Sequence, residues 1–103
     1  MDKFEILDLI KKVKKDRDEI AFSKLFDFLA PKINAYFLQN SLNSQNSEEL
    51  TQEVMSILWS KSNLYDPDKS SLSTWIFTIA RNKKIDFFRK NIRFKTNEED
   101  VRR

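Results

Sequence analysis

No glycine occurs anywhere in these 103 residues, and proline occurs only at Pro31 and Pro67. Tight β-turns lean on glycine because it takes positive φ at no steric cost. A barrel or sandwich needs many such turns, so the expected fold class is all-α. The length suits one domain with a modest core. Apolar stripes at helical spacing, separated by polar or proline-bearing segments, predict a compact bundle of about four helices.

Phe4, Leu7, Ile10 and Val13 outline a first amphipathic helix over roughly residues 2–15. The cations of Lys11-Lys12-Val13-Lys14-Lys15 near its end suit the helix dipole. Asp18 is placed to cap a second helix reaching about Asn40, with a stripe through Phe22, Leu25, Phe26, Leu29, Ile33, Tyr36 and Phe37. Pro31 falls inside it without shifting the stripe's phase, so a kink rather than a break is expected. Asn40 to Asn46 reads as a loop in which asparagine takes glycine's place in turns. Asn46 with Glu49 resembles a capping box for a third helix running to about Leu64. Tyr65-Asp66-Pro67-Asp68 ends it, and Ser70 or Ser71 caps a fourth. Residues 1–95 read as the domain, and 96–103, which lack an apolar face, as the start of a linker or a frayed tail.

Cysteine and histidine are absent. That removes disulfides, thiol nucleophiles, the usual zinc ligands and the usual general base, so no metal site, cofactor or catalytic residue is expected and the chain reads as a non-enzyme. No apolar run approaches membrane-spanning length and the N-terminus lacks a signal-peptide pattern, so the expected location is the cytoplasm, with no membrane partner.

The net charge of +3 is uninformative, but its distribution is not. Residues 81–95 carry Arg81, Lys83, Lys84, Arg89, Lys90, Arg93 and Lys95 against the single acid Asp86. Leu72, Trp75, Ile76, Ile79 and Ala80 form a tight core face, and Lys83 and Asp86 then fall where that face should continue. Burying them unpaired would cost several kcal/mol, so the helix is expected to leave the core there. Asp86 has a plain alternative as a solvated partner of Arg89 or Lys90. A basic helix end beside hydroxyl, amide and aromatic side chains suits single-stranded nucleic acid, with cations on phosphates and apolar faces accepting unstacked bases.

The third helix has two apolar sides. Leu50, Val54, Ile57 and Leu58 face one way; Gln52, Met55 and Trp59 face roughly the other. Such a helix is either central in its bundle or shared with a partner. The dipole accounts for Glu48 and Glu49 but less well for Glu53, which lies past the first turn.

Together these segments resemble the promoter-melting domain, the second conserved region, of bacterial sigma factors, especially the extracytoplasmic-function group. The resemblance covers roughly residues 18–92. It is carried by Ala21-Phe22-Ser23-Lys24-Leu25-Phe26 with Ala30-Pro31, by Glu49-Leu50-Thr51-Gln52-Glu53-Val54 with Leu58-Trp59, by Tyr65-Asp66-Pro67, and by Ser71 to Asn82 followed by Ile85-Asp86 and Arg89. Glycines that the family often places in two of its loops are here Asn or Ser.

The resemblance implies roles residue by residue. Glu49, Leu50, Gln52, Glu53 and Ser56 would meet the clamp helices of core RNA polymerase, where carboxylates suit guanidinium partners. The turn from Asp66, with Ser70, Ser71 and Ser73, would capture a base flipped from the non-template strand. Asn82, Asp86 and Arg89 would approach promoter −10 DNA, with Lys83, Lys84 and Lys90 on phosphates. An anti-sigma factor is a further implied partner. Nothing after Arg93 resembles the family's −35-reading helix-turn-helix, so the chain is expected to be a fragment. Two rival readings use the same charges: a free-standing helical DNA-binding regulator, and a protein-binding bundle whose basic helix end is solvated surface.

Overall fold

The computed structural model describes residues 1–102, with side chains through Asn91. Among them are four α-helices: α1 (Lys3–Asp16), α2 (Glu19–Gln39), α3 (Ser44–Lys61) and α4 (Leu72–Arg102), with a short 3-10 turn at Ser62–Leu64. The all-α expectation holds. The tail expected from residue 96 lies outside the residues whose side chains are described.

Each helix starts on a side-chain cap. Asp2 accepts from the Glu5 amide (2.9 Å), Asp18 from Ala21 (3.0 Å) and Ser71 from Thr74 (3.1 Å). The cap of α3 is Asn43, whose carboxamide oxygen accepts from the Asn46 amide at 2.8 Å. The helix therefore begins about one turn before the Asn46–Glu49 capping box read from the sequence. Asn43 is extended (φ −76°, ψ 171°), the conformation a capping residue needs, and the sequence offers several asparagines that could supply it. At its other end α3 stops at Lys61, and only the 3-10 turn reaches Leu64.

Without glycine, two other residues take positive φ. Arg17 (φ 52°) ends α1 and Ser41 (φ 73°) follows α2. The expected asparagines do other work: Asn40 donates its carboxamide to the Tyr36 carbonyl (2.8 Å) and Asn43 caps α3. After Ser41 the Leu42 amide bonds back to the Phe37 carbonyl (3.2 Å), and the Leu42 side chain is buried. That return bond with an apolar contact is the usual way of closing a helix end.

The core is one cluster. Leu25, Leu29, Ile33 and Phe37 of α2 meet Leu9, Ile10 and Val13 of α1, Val54, Met55 and Leu58 of α3, and Leu72, Ile76 and Ala80 of α4. Burying each large aliphatic side chain here stabilises the fold by about 1.5–3 kcal/mol. α2 continues through Pro31, whose ring is exposed. One expected core residue is not in it: Phe4 is 80 % exposed, because the buried face of α1 runs through Leu9, Ile10 and Val13. Met55 is buried and Trp59 packs edge-on against Phe22 at 5.1 Å. The second apolar side of α3 therefore belongs to the bundle, which makes α3 a central helix.

Two cations of α1 tie it to the far end of α3. Arg17 donates to the Trp59 carbonyl (2.6 Å) and the Ser62 hydroxyl (3.3 Å), and its guanidinium lies 4.0 Å from the Trp59 ring centroid. The Trp59 carbonyl lies in the last turn of α3, where no intrahelical donor remains for it. Lys14 donates to the Tyr65 carbonyl (2.6 Å). Tyr65 is buried against Trp75 (5.5 Å between ring centroids), and its hydroxyl donates to the Ser70 carbonyl at 2.9 Å. That bond closes the loop leading into α4.

Arg17→Ala is expected to destabilise the chain by about 1–3 kcal/mol, through a lost charged hydrogen bond and the lost ring contact. Urea unfolding checks this, and an unchanged midpoint would mean the clasp contributes nothing. Burial first, and the neighbouring Asp66 carboxylate second, raise the Tyr65 phenol above its ordinary value of 10.0. Ionisation is thus disfavoured in the folded chain, so the stability Tyr65 contributes is full below pH 10.0 and lost as pH rises through the folded value. In a Tyr36→Phe variant, which leaves Tyr65 as the one phenol, phenolate absorbance should appear only above the ordinary range and together with loss of helical circular dichroism. Titration at the ordinary value, with the helices intact, would contradict a sealed Tyr65.

Candidate nucleic-acid interface

α4 sorts its charged residues by phase. Asn82, Asp86 and Arg89, spaced i, i+4, i+7, are all exposed on one side, and Asp86 pairs with Arg89 at 3.9 Å. The solvated pair foreseen for Asp86 is therefore present, contributing little to stability. Lys83 and Lys90 line a groove between α3 and α4 with Glu49 and Glu53, and the Lys83 ammonium lies 3.6 Å from the Glu53 carboxylate. Lys84 turns instead to the C-terminal end of α2, donating to the Asn40 carboxamide oxygen (3.3 Å) with its ammonium 5.3 Å from the Tyr36 ring centroid. A cation there also meets the negative end of the α2 dipole.

This corrects the expectation that α4 leaves the core at Lys83. Ala80 is the last fully buried residue, but Phe87 and Phe88 still pack against the core one to two turns later. Lys83 does fall on the inward face. Its half-buried charge is met by Glu53, which removes the penalty that was to drive the helix away.

On α3, Glu49, Gln52, Glu53 and Ser56 are exposed at i, i+3, i+4, i+7 and form one continuous stripe. Glu49 accepts a long bond from Gln45 (3.4 Å). Leu50 differs from the other four: it is half-buried against the core and only borders the stripe. The stripe is almost entirely acceptor, with the Gln52 carboxamide and Ser56 hydroxyl as adaptable neighbours. It can therefore bind guanidinium or ammonium groups.

The loop into α4 is built by its own hydrogen bonds. Asp66 accepts from the Asp68 amide (2.9 Å) in an Asx-turn, and its carbonyl accepts from Lys69 (3.1 Å). Of the three serines expected at a base pocket, Ser71 is occupied as the α4 cap and also bonds the Thr74 hydroxyl (3.0 Å). Ser70 and Ser73 line a groove of about 880 Å³. Its other wall is α1, through Lys3, Ile6, Leu7 and Lys11. The sequence reading missed this wall. The dipole accounts for cations in the last turn of α1, Lys14 and Lys15, but it disfavours Lys3 in the first turn. That misplaced cation was the available signal.

By helix rise, Ser73 and Asn82 lie about 14 Å apart along α4. The residues expected to touch DNA thus form two stations on one helix, not one cluster. Among the described residues there is no group of three or more acidic, histidine or cysteine side chains that could hold a metal ion. Nor is any described helix long and apolar enough to cross a membrane.

The Sigma-70 region 2 family model matches residues 30–94. The chain is 40 % identical over 90 residues to the ECF RNA polymerase sigma factor RpoE of Cereibacter sphaeroides, covering 87 % of this chain and 50 % of that protein. It is 28 % identical over 80 residues to the ECF RNA polymerase sigma factor SigK of Mycobacterium sp. strain KMS, covering 78 % and 42 %. Among solved structures it resembles Rhodobacter sphaeroides SigE in complex with the anti-sigma ChrR, with a TM-score of 0.80 at 40 % identity over 87 % of this chain and 55 % of that one. The chain spans about half the length of the curated relatives it matches. Family model, sequence relatives and fold agree: this chain belongs to the ECF sigma factors of the sigma-70 family and carries their region 2.

Proposed function

We propose that this chain docks on the clamp helices of core RNA polymerase through α3 and melts and reads the promoter −10 element through α4 and the loop before it, so that transcription can initiate. The observation that carries the reading is the juxtaposition of two exposed faces of opposite character on neighbouring helices. Glu49, Gln52, Glu53 and Ser56 offer acceptors to a basic helix. Across the α3–α4 groove, Asn82, Arg89 and Lys90 offer an amide and cations to DNA. A helical DNA-binding regulator acting alone would have no use for the acidic stripe, and a purely protein-binding bundle would have no use for the amide and guanidinium on α4.

Melting requires no covalent chemistry. Extruding a base costs a few kcal/mol in lost stacking and pairing, and a pocket that binds only the extruded form offsets that cost. The loop from Asp66 to Ser73 is the proposed pocket. Ser70 and Ser73 supply the hydroxyls, while Ser71 holds the start of α4 in place. Lys90 reaches phosphate directly, whereas Lys83 does so once freed from Glu53; Lys84 stays with the fold. The domain comprises residues 1–95, with 96–103 opening the linker to whatever follows, and the setting is cytoplasmic. Because the SigE relative was solved with the anti-sigma ChrR, an anti-sigma protein is the proposed inhibitory partner.

The Gln52→Ala, Glu53→Ala double variant is expected to weaken binding to a polymerase clamp fragment about tenfold or more, since hydrogen bonds to charged groups contribute about 1.5–3 kcal/mol each. Its thermal melt should be unchanged, because both side chains are exposed. Undiminished affinity would sink the clamp assignment. Separately, Asn82→Ala with Arg89→Ala should weaken binding to a single-stranded −10 oligonucleotide and flatten its salt dependence by about 0.7, the share of one phosphate contact. Binding indifferent to both sequence and salt would instead favour the protein-binding reading.

A further inference from the structure

The family match begins at residue 30, so all of α1 lies outside it. Yet α1 makes one wall of the groove whose other wall is the loop before α4. The groove's floor is apolar, from Ile6, Leu7 and the buried Leu72, and its far wall carries the Ser70 and Ser73 hydroxyls. Lys3, Lys11 and Lys69 stand around it against one carboxylate, Asp68. The neighbouring cations Lys12 and Lys14 are already engaged, by Asp8 at 3.2 Å and by the Tyr65 carbonyl at 2.6 Å. Lys3 and Lys11 are exposed and make no ion pair among the described residues. Phe4, at i, i+3, i+7 with Leu7 and Lys11, is 80 % exposed on the adjoining face of α1.

We infer that α1 is part of the DNA interface: Lys3 and Lys11 hold the phosphates flanking the extruded base, and the Phe4 ring stacks on the adjacent unpaired base. The inference rests on the base-capture reading of the Asp66–Ser73 loop and adds the second wall to it. An apolar cleft edged by cations and hydroxyls fits a nucleotide, whose base is flat and apolar-faced and whose phosphates are anionic. An exposed phenyl ring at the rim offers the sequence-tolerant stacking that single strands use. A cation in the first turn of a helix opposes the dipole, so Lys3 is disfavoured where it stands until an anion arrives.

The test uses the 103-residue chain and a fluorescent single strand of about 12 nucleotides, within the range one small domain covers. Affinity is measured across a salt series, once with an intact strand and once with an abasic site at the captured position. Lys3→Gln with Lys11→Gln should lower the salt slope by about 1.4, at about 0.7 for each lost phosphate contact. A control pair with the same charge change outside the groove, Lys15→Gln with Lys24→Gln, should leave it unchanged. Phe4→Ala should weaken binding about fivefold or more, the scale of one lost stacking contact, with the salt slope intact.

An unaltered slope in the Lys3/Lys11 variant overturns the inference. So does an equal drop in the control pair, which would mean that only the overall field matters. If the Lys3/Lys11 variant binds DNA normally but loses affinity for a glutamate-rich amphipathic peptide, the groove is a protein-docking site and the inference also fails. Wild-type chain that binds intact and abasic strands equally would sink base capture itself, and the lysine slopes would still decide whether α1 touches the backbone.

Discussion

The Tyr65 side chain crosses from the end of α3 into the core, stacks beside Trp75 and returns a hydrogen bond to the Ser70 carbonyl, five residues on (2.9 Å). Its own carbonyl receives the Lys14 ammonium from α1 (2.6 Å). One residue thereby fixes three things: where α3 ends, the path of the loop, and the point at which α4 begins. A glycine-free loop needs such a brace, because no residue in it relaxes cheaply into left-handed backbone. The Asx-turn at Asp66 and the Ser71 cap complete it with local side-chain bonds. The groove beside this loop is consequently a built surface. A pocket that must discriminate an extruded base gains from walls already in place before the base arrives.

The same economy governs the cations. Lysine and arginine are spread over α1 and α4, but position along each helix decides what they do. Arg17, Lys14 and Lys84 all sit at helix ends, where last-turn carbonyls and the negative end of a dipole attract them. They hold the bundle together. Lys83, mid-helix and facing inward, is held by Glu53. Lys3, Lys11, Arg89 and Lys90 have no such structural duty beyond the exposed pairing of Arg89 with Asp86. Net charge therefore overstates the surface available to an anion, and phase with helix position recovers the working subset.

The fold was legible because its signals were redundant. The α2 stripe, the Asp18 and Ser71 caps and the proline turn each mark an element boundary on their own, and the family resemblance agreed with all of them. Three errors share a cause. The Asn46 cap, the inward Phe4 and the departure of α4 at Lys83 each required a choice between near-equivalent alternatives separated by tertiary contacts. Asn43 and Asn46 are interchangeable cap chemistries until the loop path is known. Phe4 and Leu9 both fit a helical period, and only the position of α2 decides which is buried. Lys83 was read as unburiable because its partner, Glu53, lies thirty residues earlier, and local pattern does not see that far. The exposed stripe on α3 was legible for the opposite reason: its i, i+3, i+4, i+7 spacing is entirely local.

The attachment of α1 bears on how far the functional unit extends. The family match starts within α2, and a helix outside it might be mere decoration on the bundle. The contacts argue otherwise. Ile10 and Val13 are almost completely buried, Arg17 occupies the open end of α3, and Lys14 reaches the carbonyl of the residue that braces the loop. Removing α1 would expose part of the core, uncap α3 and release Tyr65 on one side. A loop loosened in that way would lose the preformed shape that base capture depends on, even with every loop residue unchanged. α1 thus supports the site from behind through Lys14, at the same time as it walls the groove in front through Lys3 and Lys11.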